Sequence, residues 1–243
     1  MYLIIDIGNT RQKAAVFDKT ENLICLEQND YLSEEILLSL CEKHAFKACI
    51  ISSVGEPDQR LMNLLSSKFT TLCFSQDLKF PITLKYGTAK TLGTDRIACA
   101  VGAAKLFPKQ NVLTFQAGTC LVADFVNDNE EYLGGSIAPG LNLRFRALHE
   151  GTHRLPLIAP ENIDFLIGDT TQNSILSGVI NGMAAEIEGL SARYSELYPD
   201  LKVVLTGGDS SILLNSLKNR IFAAQNLVLY GLFEILNFNV PEN

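Results

Sequence analysis

The chain repeats its own beginning, and that repetition limits the fold more than any other feature. LIIDIGNT starts at residue 3 and VLTFQAGT at residue 112. In each, an apolar strand runs into a turn of glycine and small hydrogen-bonding residues, and a second strand returns. Asp6 corresponds to Gln116 and Gly8 to Gly118, at the same interval of 110 residues. Leu205-Thr206-Gly207-Gly208-Asp209 likewise resembles Ile51-Ser52-Ser53-Val54-Gly55, with a double glycine. A repeat of this kind implies two similar α/β halves that face each other across a cleft, each aiming a hairpin turn into it. The boundary falls near Pro108, which gives halves of 1–108 and 109–243.

Hydrophobic periodicity fills in both halves. The first reads as strands over 3–5, 12–18 and 23–27, a helix over 33–43 capped by Ser33, and a buried strand over 48–54. Pro57 opens a helix with Leu61, Leu64 and Leu65 on one face, and 71–74 is a short strand. An irregular stretch over 80–93 leads to a helix over 94–107 that Pro108 ends. The second half reads as strands over 112–116, 120–126 and 131–134, a long helix over 171–197, a strand over 202–205 and a last helix over 226–237.

The first turn has the chemistry of a phosphate cradle. Gly8 lets the backbone turn tightly and come close to an anion. The N–H groups of such a turn can hold phosphoryl oxygens, and Asp6 at the strand end can face an accompanying Mg²⁺. Lys13, on the returning strand, adds positive charge. Read alone, the same segment is also an ordinary β-hairpin.

Composition excludes several partner classes. The net charge of −7 disfavours nucleic acid and anionic membrane surfaces. No apolar run reaches the length of a membrane span, and Met1 leads straight into a strand without a secretory leader. The six cysteines form no C-x-x-C pair and read as reduced thiols of a cytoplasmic protein. His149-Glu150-Gly151-Thr152-His153 fits the H-E-x-x-H spelling of zinc proteases, but Gly151 and the nearby Pro156 argue against the continuous helix that chemistry requires.

Seven stretches, in order, carry a family resemblance: DIGNT (6–10), LGTDRIACAVGA (92–103), QAGTC (116–120), GGSIAPG (134–140), TTQNSILSG (170–178), LTGGD (205–209) and LVLYGL (227–232). Together they resemble the ASKHA superfamily of actin-like ATPases and sugar kinases, and within it the type III pantothenate kinases. The resemblance implies two duplicated actin-like, ribonuclease H-like halves with mixed five-stranded sheets flanked by helices. It implies ATP-dependent phosphorylation of pantothenate to 4′-phosphopantothenate, the first step of coenzyme A synthesis, by a cytoplasmic homodimer. The first half would carry the phosphate-1 motif and the substrate G-x-D-R motif. The second would carry the phosphate-2 and adenosine motifs and the dimer contact.

Residue by residue, the resemblance implies that Asp6, Ile7, Gly8, Asn9, Thr10, Arg11, Gln12 and Lys13 bind the ATP phosphates, with Asp6 toward Mg²⁺. Thr119 would meet the terminal phosphate, and Gly207 and Gly208 the adenosine. Asp95 would be the general base. Tyr86, Gly93, Thr94, Asp95, Arg96 and Thr171 would contact pantothenate. Gln116 stands where the family usually has an aspartate for a monovalent cation, K⁺ or NH₄⁺; the glutamine keeps an oxygen and loses the charge. The Asn-Pro often found after Tyr86 is replaced by Gly87-Thr88-Ala89. Read alone, Asp95 and Arg96 are also an ordinary helix-start acid and a solvated arginine, Tyr86 a packing residue and Thr171 a helix cap. Two other functions stay open at this level: a catalytically weakened ASKHA-fold regulatory or binding protein, and an ASKHA kinase for another small hydroxylated substrate.

Overall fold

The computed structural model describes residues 1–8, 10–55, 58–218 and 221–240. The first part of the chain forms β1 (Tyr2–Ile7), β2 (Gln12–Phe17), β3 (Leu23–Asn29), α1 (Glu34–Lys43), β4 (Ala48–Ser53), α2 (Gln59–Ser66), β5 (Thr70–Cys73), β6 (Thr83–Leu84) and α3 (Thr94–Leu106). Then come β7 (Val112–Ala117), β8 (Cys120–Val126), β9 (Glu131–Pro139), α4 (Leu141–Glu150), α5 (Thr171–Leu197), β10 (Lys202–Thr206), α6 (Ser210–Leu214), β11 (Phe222–Ala223) and α7 (Leu227–Asn239). These make two compact units, Met1–Leu106 with Leu227–Asn243, and Phe107–Asn226.

The duplication is visible in the strand order. The first sheet is five-stranded and runs β3-β2-β1-β4-β5, with β1–β2 and β2–β3 antiparallel and β1–β4 and β4–β5 parallel. The second unit's own strands run β9-β8-β7-β10-β11, with the antiparallel and parallel pairings in the same places.

Strands β1 and β4 are apolar over 2–5 and 48–51 because both faces of the first sheet are covered there. Leu3, Ile5, Cys49 and Ile51 point to one core, which Leu37 and Leu40 of α1 and Leu65 of α2 complete. On the opposite face Tyr2, Ile4, Phe17 and Ile50 are buried. There Phe233 of α7 stacks on Phe17 at 4.8 Å and meets Tyr2 edge-on at 5.4 Å between ring centroids. The same helix lies along α3 with backbone nearly touching backbone: a Cβ on Gly231 would fall 1.7 Å from the Ala98 carbonyl oxygen. The last helix therefore belongs to the first unit, whereas the sequence reading assigned all of 109–243 to the second half. Periodicity marks an apolar face; it does not say which sheet that face covers. In the second unit, the core joins Leu113, Phe115, Leu121 and Phe125 of β7 and β8 to Ile175, Val179, Ile180 and Met183 of α5.

Local signals account for most element starts. Ser33 Oγ accepts from the Ile36 N–H at 3.4 Å and caps α1. Asp58 Oδ1 accepts from the Arg60 N–H at 2.8 Å and caps α2; Pro57, expected to open that helix, lies outside the described residues. β9 continues to Pro139, five residues past the expected end at Gly134. Gly135 does not break it, because a Cβ there would fall 1.8 Å from the Ala123 carbonyl oxygen, so its absence lets β9 lie tight on β8. The short α6, β11 and β6 were not read from the sequence.

Candidate functional site

In the first unit the chemistry gathers where β1, β2 and β4 meet the start of α3. Asp6 sits in register with Lys13 of β2 on one side and Ser52 of β4 on the other. Strand alternation turns all three away from the core under α1 and α2. Burial, opposed by Lys13 and assisted by Asp95, pushes the Asp6 carboxyl up to about 6. Burial also lowers the Lys13 ammonium, against the pull of Asp6. The Asp95 carboxylate is thus within electrostatic reach of Asp6, although the two are 89 positions apart in sequence.

The turn between β1 and β2 is closed by the Gly8 N–H donating to the Arg11 carbonyl at 3.1 Å. Thr10 and Arg11 are exposed at its tip, and Asn9 lies outside the described residues. Ile7 and Gln12 flank it; the Gln12 amide oxygen is taken up by the Leu32 N–H at 2.8 Å and braces the turn from below.

The start of α3 is shaped by Gly93. Its carbonyl accepts from the Ile97 N–H at 3.2 Å, and Asp95 Oδ1 lies 2.6 Å from where a Cβ on Gly93 would be. The carboxylate therefore folds back over the glycine, near the positive end of the helix. Thr94 accepts a hydrogen bond from the Ser52 hydroxyl at 3.0 Å. Arg96 is only 7% exposed, with its guanidinium 5.6 Å from the Tyr86 ring centroid. This is a desolvated cation–π geometry, not that of a solvated surface arginine. The structure thus brings together Asp6, Lys13, Thr94 and Asp95, and beside them Gly93, Arg96 and Tyr86.

In the second unit the equivalent strand ends hold Gln116, Thr119, Gly207 and Gly208. Gln116 is in register with Thr206 of β10 and Val122 of β8. Its Oε1 is buried and has no hydrogen-bond partner among the described residues. Thr119 is exposed at the turn, and its carbonyl accepts from the Gly140 N–H at 3.1 Å. Gly207 has φ +99°, and a Cβ on it would fall 2.1 Å from the Ala117 carbonyl oxygen. No other residue type fits that turn without strain. Gly208 faces open space.

Thr171 lies elsewhere in this unit. It is the exposed first residue of α5, and Thr170 is the cap, its Oγ1 accepting from the Asn173 N–H at 3.1 Å. Thr171 borders a groove of about 980 Å³ with Arg144, Leu148, Leu155 and Asp169. Arg144 pairs there with Glu186 and donates from Nε to the Pro139 carbonyl at 2.8 Å. Neither Ser52 nor Arg144 stood out in the sequence. Ser52 was within reach, since the repeat sets it opposite Thr206 at the end of the matching strand. His149 lies in the last turn of α4 with Nδ1 2.7 Å from the Leu155 carbonyl, and the H-E-x-x-H spelling straddles the end of that helix at Glu150.

With this geometry in hand, comparisons with known proteins are specific. The model of the type III pantothenate kinase family matches residues 2–193. A type III pantothenate kinase of Christiangramia forsetii is 43% identical, covering 98% of this chain and 99% of its own. One from Flavobacterium johnsoniae is 40% identical over all of both chains. Among solved structures, a ROK family glucokinase from Streptomyces griseus in complex with glucose and AMPPNP has a TM-score of 0.52 at 12% identity, covering 96% of this chain and 99% of that one. At that identity the likeness shows the fold alone, the duplicated α/β architecture of the sugar kinases and actin-like ATPases.

Proposed function

This chain belongs to the type III pantothenate kinase family, and from that premise we propose that it transfers the terminal phosphoryl group of ATP to pantothenate, giving 4′-phosphopantothenate and ADP. The observation that carries the reading is Asp95, folded over Gly93 at the start of α3 within electrostatic reach of Asp6. Asp95 takes the proton from the attacking primary hydroxyl. Arg96, held on the face of Tyr86, and the neighbouring Thr94 orient a substrate that carries a carboxylate and an amide. Thr171 is assigned to the substrate as well.

Asp6, ionised above a pH of about 6, suits Mg²⁺, and Lys13 and the backbone of the first turn suit phosphate oxygens. When bound, Mg²⁺ neutralises charge on the nucleotide. Thr119 and the open backbone at Gly208 are assigned to the terminal phosphate and the adenosine. The orphaned Gln116 oxygen fits a neutral ligand for a monovalent cation, K⁺ or NH₄⁺. Exposed Leu157, Leu166 and Ile167 support a homodimer through the second unit. The net charge of −7 disfavours nucleic-acid and anionic-membrane partners, the cysteine pattern without a C-x-x-C pair fits a cytoplasmic enzyme, and no helix among the described residues is long and apolar enough to cross a membrane.

An ADP-release assay with and without pantothenate tests the reading; release that does not depend on pantothenate overturns it. Asp95→Asn should keep nucleotide binding and lower turnover by about 10²–10⁴-fold, the usual contribution of a positioned base. Turnover within a few-fold of the parent removes Asp95 from that role.

A further inference from the structure

We infer that Ser52 is a positioning residue for phosphoryl transfer: its buried hydroxyl ties the start of α3, and with it the Asp95 carboxylate, to the strand pair that carries Asp6. The inference rests on the proposal that Asp95 is the base.

Ser52 is 1% exposed and, with Ser53 after it, closes a strand whose first four residues are apolar. A hydroxyl there costs desolvation unless it is bonded. Its partner is not in the sheet. Cys49 and Ile51 point to the α1–α2 core, so alternation sends Ser52 to the other face, where α3 begins. The hydroxyl donates to Thr94 Oγ1 at 3.0 Å, across 42 residues of chain. Thr94 is the first residue of α3 and Asp95 the second. The residue before them is Gly93, which has no side chain with which to cap the helix. Ser52 also lies in register with Asp6, which is in register with Lys13. One row therefore runs Lys13, Asp6, Ser52, Thr94, Asp95. It sets the distance between the charge that faces the metal–nucleotide and the carboxylate that takes the proton.

A directional bond holds a helix start in a way that apolar packing does not. Displacing a catalytic group by about 1 Å costs on the order of 10²-fold in rate, so a partial shift of α3 should appear in turnover. The test is steady-state kinetics on Ser52→Ala, Thr94→Val, their double variant and Thr94→Ser, with melting curves for each. Expected are a fall in kcat of about tenfold for Ser52→Ala with KM for ATP within about twofold, and a double variant no slower than the slower single one. Thr94→Ser, which keeps the hydroxyl, should recover most of the rate that Thr94→Val loses. Should Ser52→Ala fail to fold, Ser52→Cys, similar in size and a weak donor, takes its place with a smaller fall in kcat expected. Parental kcat with a lowered melting temperature overturns the inference, since the bond then serves stability alone. Multiplicative losses in the double variant overturn it too. Asp95→Asn, run alongside, separates this from the parent reading. An active Asp95→Asn sinks the base assignment. An inactive Asp95→Asn beside a fully active Ser52→Ala sinks only the positioning role.

Discussion

Replacing Asp6 by asparagine should stabilise the ligand-free protein while abolishing its activity. Burial raises the Asp6 carboxyl from its ordinary 3.8 to about 6, after Lys13 has pulled it down and Asp95 has pushed it up. The ionised form is thus less favourable in the folded chain than in the unfolded one. At about 1.4 kcal/mol for each unit of pKa, the shift amounts to about 3 kcal/mol. The sign follows from proton linkage. Between pH 3.8 and 6 the folded state holds a proton that the unfolded state has released. Stability contributed by this group therefore falls as pH rises, and the whole penalty is present above pH 6. Asparagine keeps the shape and removes the charge. At pH 8, without Mg²⁺ or nucleotide, Asp6→Asn should melt roughly 6–12 °C above the parent for a chain of this size. The advantage should shrink through pH 6 and vanish near pH 4. A variant that melts below the parent at pH 8, or an advantage independent of pH, refutes the reasoning. Bound Mg²⁺ and nucleotide should reverse the order, because they stabilise only a protein that holds them.

Further outcomes can be checked directly. Gly231→Ala should lower the melting temperature, with a cost of about 1–3 kcal/mol or more from forcing α7 away from Ala98; an unchanged melting curve would mean the two helices separate freely. Gln116→Asp should strengthen activation by KCl at constant ionic strength, over weak activation of the parent; saturable activation of the parent, unchanged in the variant, contradicts this. Light scattering at micromolar concentration should give a dimer, and Ile167→Glu a monomer, since Ile167 is exposed on the second unit; a fully active parental monomer speaks against the interface.

Much of the first unit was legible because its signals are local. Ser33 precedes an amphipathic stretch and caps it, and the continuous apolar runs over 3–5 and 48–51 are those of strands buried on both faces. The duplication announced two similar α/β halves, and the matching strand orders of the two units bear it out. What escaped the sequence depends on contacts far apart in it. Whether α7 covers the first or the second sheet turns on Phe233 meeting Phe17, and on glycine replacing a side chain opposite Ala98. Neither leaves a periodic trace. Taken without the family resemblance, Arg96 reads as solvated, because its shelter, Tyr86, comes from an irregular segment. Ser52 read as the end of a strand because a lone serine there carries no motif; only its bond to Thr94 gives it meaning.

The two copies differ in charge at one matching position of their leading strands. In the first unit the next-to-last residue of the leading strand is Asp6, with Lys13 beside it on one neighbouring strand and a hydroxyl, Ser52, on the other. In the second unit the matching residue is Gln116, with Val122 in the place of the lysine and again a hydroxyl, Thr206, on the far side. A carboxylate is tolerable in the first setting because a cation in the protein offsets part of its burial. A carboxylate at 116 would have no such neighbour among the strands that flank it, and a buried charge without a partner is costly. It would depend on a bound cation to be stable in its ionised form. Glutamine removes that dependence and keeps an oxygen in the same place, with no partner among the described residues. Lys13 and Val122 therefore explain why a carboxylate stands without help at one end of the duplication and an amide stands at the other. They also explain why restoring the charge at 116 should restore a need for the ion.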